Sequence, residues 1–356
     1  MKHLLLLLTF FVCLNGFTQI PLGYYDSTVG KTGYVLKTAL NKIITSGHID
    51  RGYGSLYGGY MTTDTDKFYD NDSTVLDMYS ENPTGVDSYF YSHNTRNCGN
   101  YNSENDCYNR EHLFPQSGFG RGYPMRTDIH HVVPSDGYVN GQRGSFPFGE
   151  VSSTTWTSMN GSKKGPSASP GYQNIVFEPI DEFKGDIARC MLYFATRYET
   201  QVSSWPWAQL NGTSTQVYDQ WFLNVLISWH LQDTVNQREI VRNNGSYAYQ
   251  GNRNPYIDHP EWVTQTWGLP TYASIEENKL ESVSLYPNPT ADNSVTIENG
   301  FPINSVEVYS TLGALIQSKS AQNEGKKIVL TDLPKGVLLI KITSEDNSVV
   351  KKLVAQ

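Results

Sequence analysis

Apolar residues recur at helical spacing in four segments of the first three quarters of the chain. The third segment is apolar on nearly every side, so we expect it to cross a hydrophobic core. Asp181 is a candidate N-cap for the second segment, and Asn244-Gly245 predicts the end of the fourth. The predicted helices span residues 33–46, 181–198, 217–232 and 235–243.

The pattern changes after residue 282. From there to residue 356, apolar and polar residues alternate in short runs separated by Gly, Pro and Asn. A period of two is typical of strands with one buried face, so we predict a small antiparallel β-sandwich over residues 283–356. Residues 271–282 are polar and rich in Glu, which predicts a linker after a first domain at residues 20–270.

Residues 1–19 have the layout of a signal peptide, with a short basic start, an apolar run and small or polar residues after it. The run from Leu4 to Leu14 is shorter than the ~20 apolar residues that a membrane-spanning helix needs. No later segment is long and apolar enough either. We therefore expect a protein that is exported, with no membrane span.

The chain is acidic, with 27 Lys and Arg against 35 Asp and Glu and a formal net charge of −8. This charge excludes a protein that coats nucleic acid through non-specific attraction alone. A protein of this charge that acts on nucleic acid must rely on cations concentrated at one site.

Three cysteines follow the predicted signal peptide: Cys98, Cys107 and Cys190. In an oxidising compartment Cys98 and Cys107 could close a small loop, while Cys190 lies in an apolar helical run and is expected to be a buried thiol. The odd count leaves the pairing open. There is no Cys-x-x-Cys pair, so the spacing gives no zinc signature.

The stretch from Tyr108 to Glu150 concentrates side chains that bind metals and phosphates. Its candidates are a Glu-His pair, two further histidines, two amides and four arginines: Glu111, His112, His130, His131, Asn140, Gln142, Arg110, Arg121, Arg126 and Arg143.

Hydrolysis of a phosphodiester needs an activated water, a cation and groups that position the backbone. A neutral imidazole can deprotonate water near pH 7. Mg²⁺ prefers carboxylate and amide oxygens, which Glu111 and Asn140 can supply. Neighbouring residues of a strand point to opposite faces, so Glu111 and His112 can share one site only where a turn or bulge lies. Of His130 and His131, we expect one to be structural and one to lie near the substrate.

Other polar segments admit two interpretations. Lys184, Arg189 and Arg197 on the second predicted helix are expected to be solvated, paired with acids or in contact with phosphate. Arg253, in the turn-rich segment 249–262, could bind phosphate or satisfy the loop backbone. The acidic run DTDKFYDND resembles half a calcium loop, and we predict a solvated loop there.

The motifs NREH, then D-I-H-H-x-x-P-S-D-G-x-V-N-x-x-R-G, then P-F-G-E resemble the bacterial endonuclease I family, a branch of the ββα-metal or His-Me finger nucleases. DMYSENP, KGDIAR, WHLQD and YQGNRNPYIDHPEW extend the resemblance over roughly residues 70–265. It implies a secreted or periplasmic, Mg²⁺-dependent endonuclease that cleaves DNA, and often RNA, without sequence specificity. Ca²⁺ and Mn²⁺ are alternative ions.

The resemblance also implies roles for individual residues. It assigns the general base to His112 and the metal ligands to Glu111 and Asn140. Arg143 is expected at the phosphate as part of the catalytic set. The expected substrate-binding residues are Arg110, His130, His131, Arg189 and Arg253.

The C-terminal segments YPNPT, VEVYSTLG and LPKG resemble the type A sorting domain of the type IX secretion system. The fold class is therefore expected to be α+β. It combines a mostly helical nuclease domain with a ββα-metal core and a small all-β, immunoglobulin-like sandwich. Its partners would be DNA or RNA as substrate and the secretion machinery, and we expect a secreted monomer.

Two rival hypotheses belong to other classes. A surface adhesin or glycan-binding module would explain the 24 Tyr and 7 Trp but not the central stretch. A zinc hydrolase that uses His112, His130 and His131 would lack the usual His-x-x-x-His helix.

Overall fold

A computed structural model describes residues 20–271, 283–299, 302–311, 313–320, 326–344 and 347–356. The predicted signal peptide and all but the first residue of the predicted linker lie outside these ranges. The described residues belong to two compact units, one up to residue 271 and one from residue 283 onward. Within these ranges, no helix is both long and apolar enough to cross a membrane.

The first unit is mostly helical and includes two small antiparallel sheets. The first sheet pairs β1 with β2, and the second has the order β3-β4-β5. Its helices are α1 Gly33–Thr45, α2 Leu56–Thr63, α3 Gly137–Arg143, α4 Lys184–Arg197, α5 Glu199–Val202, α6 Gln220–Gln232, α7 Gln237–Gln250, α8 Pro255–Asp258 and α9 Trp262–Trp267. Its strands are β1 Tyr108–His112, β2 Val132–Asp136, β3 Trp156–Thr157, β4 Lys163–Pro166 and β5 Ile175–Glu178.

Helix α4 runs through the middle of this unit and packs on α1, α6 and α8. All of its residues are buried, including its charged ones. The predicted cap at Asp181 is wrong. A short 3-10 helix precedes α4 and the cap position falls on Phe183, while Asp181 forms an ion pair with Lys184 at 2.8 Å.

Helix α7 continues through Gly245 instead of ending there. A capping box of Asn236 and Glu239 starts it, and Gly251 ends it with a left-handed φ of 83°. Gly245 is needed for packing, because a Cβ at this position would lie 2.8 Å from the carbonyl oxygen of Thr62 on α2.

A carboxylate at the centre of the first unit organises a buried polar network. The hydroxyls of Tyr193 and Tyr198 each donate to Asp128 Oδ2 at 2.8 Å, and Gln250 Nε2 donates to Oδ1 at 2.7 Å. His130 lies against the ring of Tyr193, with 4.6 Å between ring centroids. This buried acid therefore accepts hydrogen bonds from three side chains that are distant along the chain, besides the nearby backbone N–H of His130.

The second unit consists of antiparallel sheets, as the alternating pattern predicted. The sheets have the orders β10-β7-β6 and β12-β11-β8-β9, and their apolar side chains form one shared cluster. The strands are β6 Ser284–Tyr286, β7 Val295–Glu298, β8 Ser305–Ser310, β9 Leu315–Ser320, β10 Lys327–Leu330, β11 Gly336–Ser344 and β12 Asn347–Ala355.

Replacing Gly245 by Ala should lower the free energy of unfolding by about 1–3 kcal/mol, because the new methyl group has no room against a backbone oxygen. In an open helix the same change would stabilise by roughly 0.5–1 kcal/mol. Gly58→Ala in α2, where nothing lies within 4 Å, is the matched control. Equal responses of the two variants in denaturant unfolding would contradict the packing role.

Three buried histidines should each destabilise the folded chain as the pH drops from about 6.5 towards 4. Burial lowers the pKa of His130, His131 and His230 to about 4 each, so these rings stay neutral in the folded chain while they gain protons in the unfolded one. Each contributes roughly 1.4 kcal/mol of lost stability per pH unit within that window. Thermal unfolding of the wild type and of His230→Gln at a series of pH values measures this, because the variant lacks one of the three titrating rings. Equal changes of Tm between pH 6.5 and 4.5 in the two chains would contradict it.

Candidate active site

Strands β1 and β2 and helix α3 bring the predicted catalytic and metal-binding residues together. The strands pair from Tyr108 opposite Asp136 to His112 opposite Val132, and α3 follows β2 directly and packs on both strands. The Asp136 side chain caps α3 by accepting from the backbone N–H of Val139 at 2.9 Å. Asn140 and Arg143 are three positions apart and so share one face of that helix.

These elements line a cavity of about 520 Å³. Glu111 and His112 both line it even though they are adjacent, because β1 ends at His112. Three arginines and one carboxylate belong to the lining, so the cavity is locally positive although the chain is acidic. The lining comprises Tyr53, Cys98, Gly99, Tyr101, Asn109, Arg110, Glu111, His112, Pro115, Gln116, Ser117, Arg121, Asn140, Gly141, Arg143, Gly144 and Ser145.

Glu111 is a buried carboxylate that two other side chains contact. Its Oε1 accepts from the Tyr79 hydroxyl at 3.1 Å and lies 3.2 Å from Nη1 of Arg143. Burial raises the pKa of Glu111 to about 7, while Arg143 and Tyr79 act in the opposite direction. A cation in the cavity would favour the ionised form further.

His112 is held in one tautomer. Its Nε2 lies 3.1 Å from the backbone carbonyl of Arg126, which can only accept, so Nε2 carries the proton and Nδ1 has the free lone pair. The ring of Tyr53 stacks on the imidazole with 6.0 Å between centroids. Burial, aided by the nearby His131, lowers the pKa of His112 to about 3, so the ring is a neutral proton acceptor at neutral pH.

Asn140 has a fixed amide orientation. Its Nδ2 donates to Asn109 Oδ1 at 2.7 Å, which leaves Oδ1 of Asn140 as the acceptor end of the amide. A carboxylate from β1 and an amide oxygen from α3 thus belong to one open, water-accessible cavity. This donor set fits a hard cation such as Mg²⁺, which keeps several waters and takes few protein oxygens.

Arg143 is 1% exposed and is mainly engaged with the protein. Its guanidinium donates to the carbonyl of His112 at 3.0 Å and to the carbonyl of Leu113, besides its contact with Glu111. It therefore ties the end of β1 to α3. Arg110 also lines the cavity, and its Nη1 donates to the backbone carbonyl of Tyr53 at 2.8 Å. Its Cζ lies 3.6 Å from the centre of the Tyr53 ring.

The structure does not place four of the expected substrate-binding residues at the cavity. His130 and His131 are buried, with Nε2 bonded to the carbonyls of Asn252 and Met125 at 3.0 and 2.7 Å. Neither belongs to the cavity lining, although the ring of His131 lies 6.0 Å from that of His112, which does.

The other two are buried arginines in ion pairs. Arg189 contacts both carboxylate oxygens of Glu239, at 2.5 and 2.7 Å, and Arg253 likewise contacts Asp258 at 2.6 and 2.7 Å. Their donors face acids inside the protein, because a buried guanidinium must be paired. Among the alternatives that the sequence left open for Arg189, the structure shows pairing with an acid. Arg253 also pairs with an acid, Asp258, which lies in the same segment 249–262.

Several lining or supporting residues were missed by the sequence interpretation. Tyr79 lies in the DMYSENP segment, and Asn109 precedes the NREH arginine, so both belonged to quoted motifs without an assigned role. Tyr53 comes from a Gly- and Tyr-rich connection with no sequence signal for a site.

A disulfide between Cys98 and Cys107 closes the loop beside the cavity, and Cys190 is free and buried, as expected. The loop places the side chain of Tyr101 against α3, at two positions of that helix that leave no room for a side chain larger than that of glycine. A Cβ at Gly137 or Gly141 would lie 2.6 Å from the Tyr101 side chain.

Comparison with known proteins gives matches over both units. Residues 32–261 match the family Endonuclease I, and residues 284–356 match the secretion system C-terminal sorting domain. An extracellular ribonuclease of Bacillus amyloliquefaciens is 37% identical over 252 residues, which cover 68% of this chain and 78% of that protein.

An extracellular ribonuclease of Bacillus subtilis is 36% identical over 252 residues, which cover 68% of this chain and 78% of that protein. Endonuclease-1 of Buchnera aphidicola is 26% identical over 133 residues, which cover 37% of this chain and 46% of that protein. The match over residues 32–261 and the similarity to nucleases lead to one conclusion: this chain is a nuclease that belongs to the endonuclease I family and carries a C-terminal sorting domain of the type IX secretion system.

Proposed function

We propose that this protein is a secreted, Mg²⁺-dependent endonuclease that hydrolyses phosphodiester bonds of DNA and RNA without sequence specificity. The observation that carries the proposal is the tautomer of His112, a residue that lines the same cavity as Glu111 and Asn140 and whose Nδ1 keeps its lone pair. The names of the relatives, two extracellular ribonucleases and an endonuclease, support the hydrolysis of nucleic acid, including RNA.

In this mechanism, His112 Nδ1 accepts a proton from the water that attacks phosphorus. The bond between phosphorus and the 3′ oxygen breaks, the 3′ oxygen takes a proton from solvent, and a 5′-phosphate end and a 3′-hydroxyl end remain. The hydrogen bond from Nε2 to the Arg126 carbonyl keeps the ring oriented and becomes stronger as the ring gains positive charge. Tyr53, stacked on the ring, limits its rotation.

Glu111 and Asn140 would hold the metal ion. When bound, the ion supplies positive charge that stabilises the charge developing on the phosphate oxygens. Tyr79 and Arg143 orient the Glu111 carboxylate, and Asn109 orients the Asn140 amide. Arg110 and Arg121, which also line the cavity, are placed to attract the phosphate backbone, whereas Arg143 acts mainly as a positioning residue.

The same proposal covers the domain organisation. We assign β1, β2 and α3 as the ββα-metal core within a nuclease domain at residues 20–270, and residues 283–356 as an immunoglobulin-like sorting domain after a linker at 271–282. Residues 1–19 would direct export through the inner membrane as a signal peptide. The sorting domain would then direct passage through the outer membrane.

Replacing His112 by Ala should lower the rate of plasmid cleavage by about 10²–10⁴-fold, because the water loses its proton acceptor. Tm and binding to DNA should remain near those of the wild type. Added imidazole should restore part of the activity, since it can occupy the vacated space. His93→Ala, which alters a histidine outside the cavity lining, is the control.

The metal requirement is measured on the same substrate. Activity should vanish in EDTA and return with Mg²⁺. Full activity of a folded His112→Ala variant would contradict the base assignment. Recovery with Zn²⁺ but not Mg²⁺ would contradict the Mg²⁺ assignment and favour a zinc hydrolase.

Replacing Arg121 by Ala should weaken binding of DNA and RNA alike, because this exposed arginine at the cavity can contact phosphate but reads no base. The slope of log Kd against log salt concentration should fall by about 0.7–0.9, as expected for one lost phosphate contact. Binding is measured in a His112→Ala background so that the substrate stays intact. Lys42→Ala on α1, away from the cavity lining, should leave the slope unchanged, and an unchanged slope for Arg121→Ala would contradict the contact.

A further inference from the structure

A row of aromatic side chains extends from the candidate active-site cavity across helix α3. Tyr101 lines the cavity, and the centroid of its ring lies 6.5 Å from that of Tyr138 on α3. The ring of Tyr138 in turn lies 6.4 Å from that of Trp156 on β3. All three side chains are partly exposed. The rings therefore connect the cavity with the second small sheet.

A lysine and a phenylalanine lie at the far end of this row. Trp156 pairs with Lys164 across strands β3 and β4, and residues directly opposite each other in an antiparallel pair point to the same face. Lys164 Nζ lies 5.9 Å from the ring centres of both Trp156 and Phe146, and Phe146 is 39% exposed. We call the following residues the aromatic surface: Tyr101, Tyr138, Phe146, Trp156 and Lys164.

Lys164 brings a positive charge to the aromatic surface. Its Nζ donates to the amide oxygen of Gln142 on α3 at 2.6 Å. Among the residues that the structure describes, no salt bridge joins Lys164 to a carboxylate. This charge adds to those of Arg110 and Arg121 at the cavity. The aromatic surface and the cavity thus both suit a polyanion.

Two of the rings are held in place by the protein although they are partly exposed. The side chain of Tyr101 fits against Gly137 and Gly141 of α3, and Trp156 packs against the main hydrophobic cluster of the first unit. A group that is fixed before binding loses little entropy when a ligand arrives. Several large aromatic side chains left partly exposed beside a polar cavity are typical of a binding surface.

Unpaired bases fit the chemistry of the aromatic surface. Proteins that bind single strands combine aromatic rings, on which bases stack, with cations that contact the phosphates. The ring planes of Tyr101 and Tyr138 meet at 87°, and those of Tyr138 and Trp156 at 58°, so neither pair is stacked face to face. In a duplex the faces of each base are covered by its neighbours, whereas an unpaired base can stack on a side chain.

We propose that the aromatic surface stacks unpaired bases of the strand whose phosphodiester lies in the cavity, so that the protein binds single-stranded nucleic acid in preference to duplex. The inference rests on the proposed function, because the cavity fixes where the strand is cleaved. A glycan also stacks on Tyr and Trp, but the continuity with the cavity and the charge of Lys164 favour a nucleic acid strand.

The test measures the Kd of a fluorescently labelled single-stranded DNA and of the blunt duplex of the same sequence. The full chain with His112→Ala is the background, so that the DNA stays intact. Trp156→Ala removes one ring, and Trp156→Phe keeps a smaller ring at that position. Tyr34→Ala removes a tyrosine of α1 that is 38% exposed and is the matched control. Thermal unfolding shows whether each variant is folded.

Trp156→Ala should weaken binding of the single strand by about 5–150-fold, as expected for one lost stacking contact, and should change the Kd of the duplex by less than about twofold. Trp156→Phe should retain most of the binding, and Tyr34→Ala should equal the background. Unchanged single-strand binding by folded Trp156→Ala would overturn the proposal and favour another partner, such as a glycan. Equal losses for single strand and duplex would also overturn it.

Lys164→Gln gives a second measurement that does not depend on the folding of Trp156→Ala. The slope of log Kd against log salt concentration should fall by about 0.7 for the single strand, as expected for one lost phosphate contact. An unchanged slope would contradict the path of the strand over Lys164. Failure of the proposed function would appear separately, as a wild-type chain that cleaves neither form of DNA with Mg²⁺ while the effects of Trp156→Ala on binding remain.

Discussion

The candidate active site depends on one buried cation, the guanidinium of Arg143. It donates to the carbonyls of the last residue of β1 and of the residue after it, and it contacts the Glu111 carboxylate. A buried carboxylate without a partner would be destabilised, and a strand end without donors would leave carbonyls unsatisfied. Both requirements are met by one side chain, so the backbone that aims His112 and the carboxylate that would hold a metal are fixed together.

This interaction also explains how an acidic protein can act on a polyanion. The chain has a formal net charge of −8, while Arg110, Arg121 and Arg143 line the same cavity as the single carboxylate Glu111. Field lines in such a cleft depend on the nearby charges more than on the net charge. Arg143 offsets Glu111, which leaves Arg110 and Arg121 as an unbalanced positive charge beside the reacting groups.

The sequence predicted the elements better than it predicted the positions of polar side chains. Helix α1 and the alternating strands of the second unit followed from periodicity, because burial of one face repeats apolar residues at a fixed spacing. Helix α6 followed from its nearly continuous apolar run. Glu111, His112, Asn140 and Arg143 lie at one cavity because they come from one local unit of two strands and a helix. Arg189 and Arg253 could not be separated from them by sequence, since an arginine that pairs with a buried acid has the same sequence pattern as one that binds phosphate. The continuation of α7 through Gly245 was hidden for a related reason, because the carbonyl it packs against belongs to another helix.

The hairpin and helix form one short segment of the chain, between Tyr108 and Arg143. The side chains that support this segment come from far away in sequence: Tyr79 on one side, Tyr193 and Tyr198 through Asp128 on another, and Gln250 from the end of α7. The chemistry is thus local, whereas its rigidity is distributed over the whole unit. A graft of the segment alone into another scaffold would transfer the reactive groups but not the environment that sets their protonation states. Within the family, the segment and its distant supports are therefore expected to change together rather than separately.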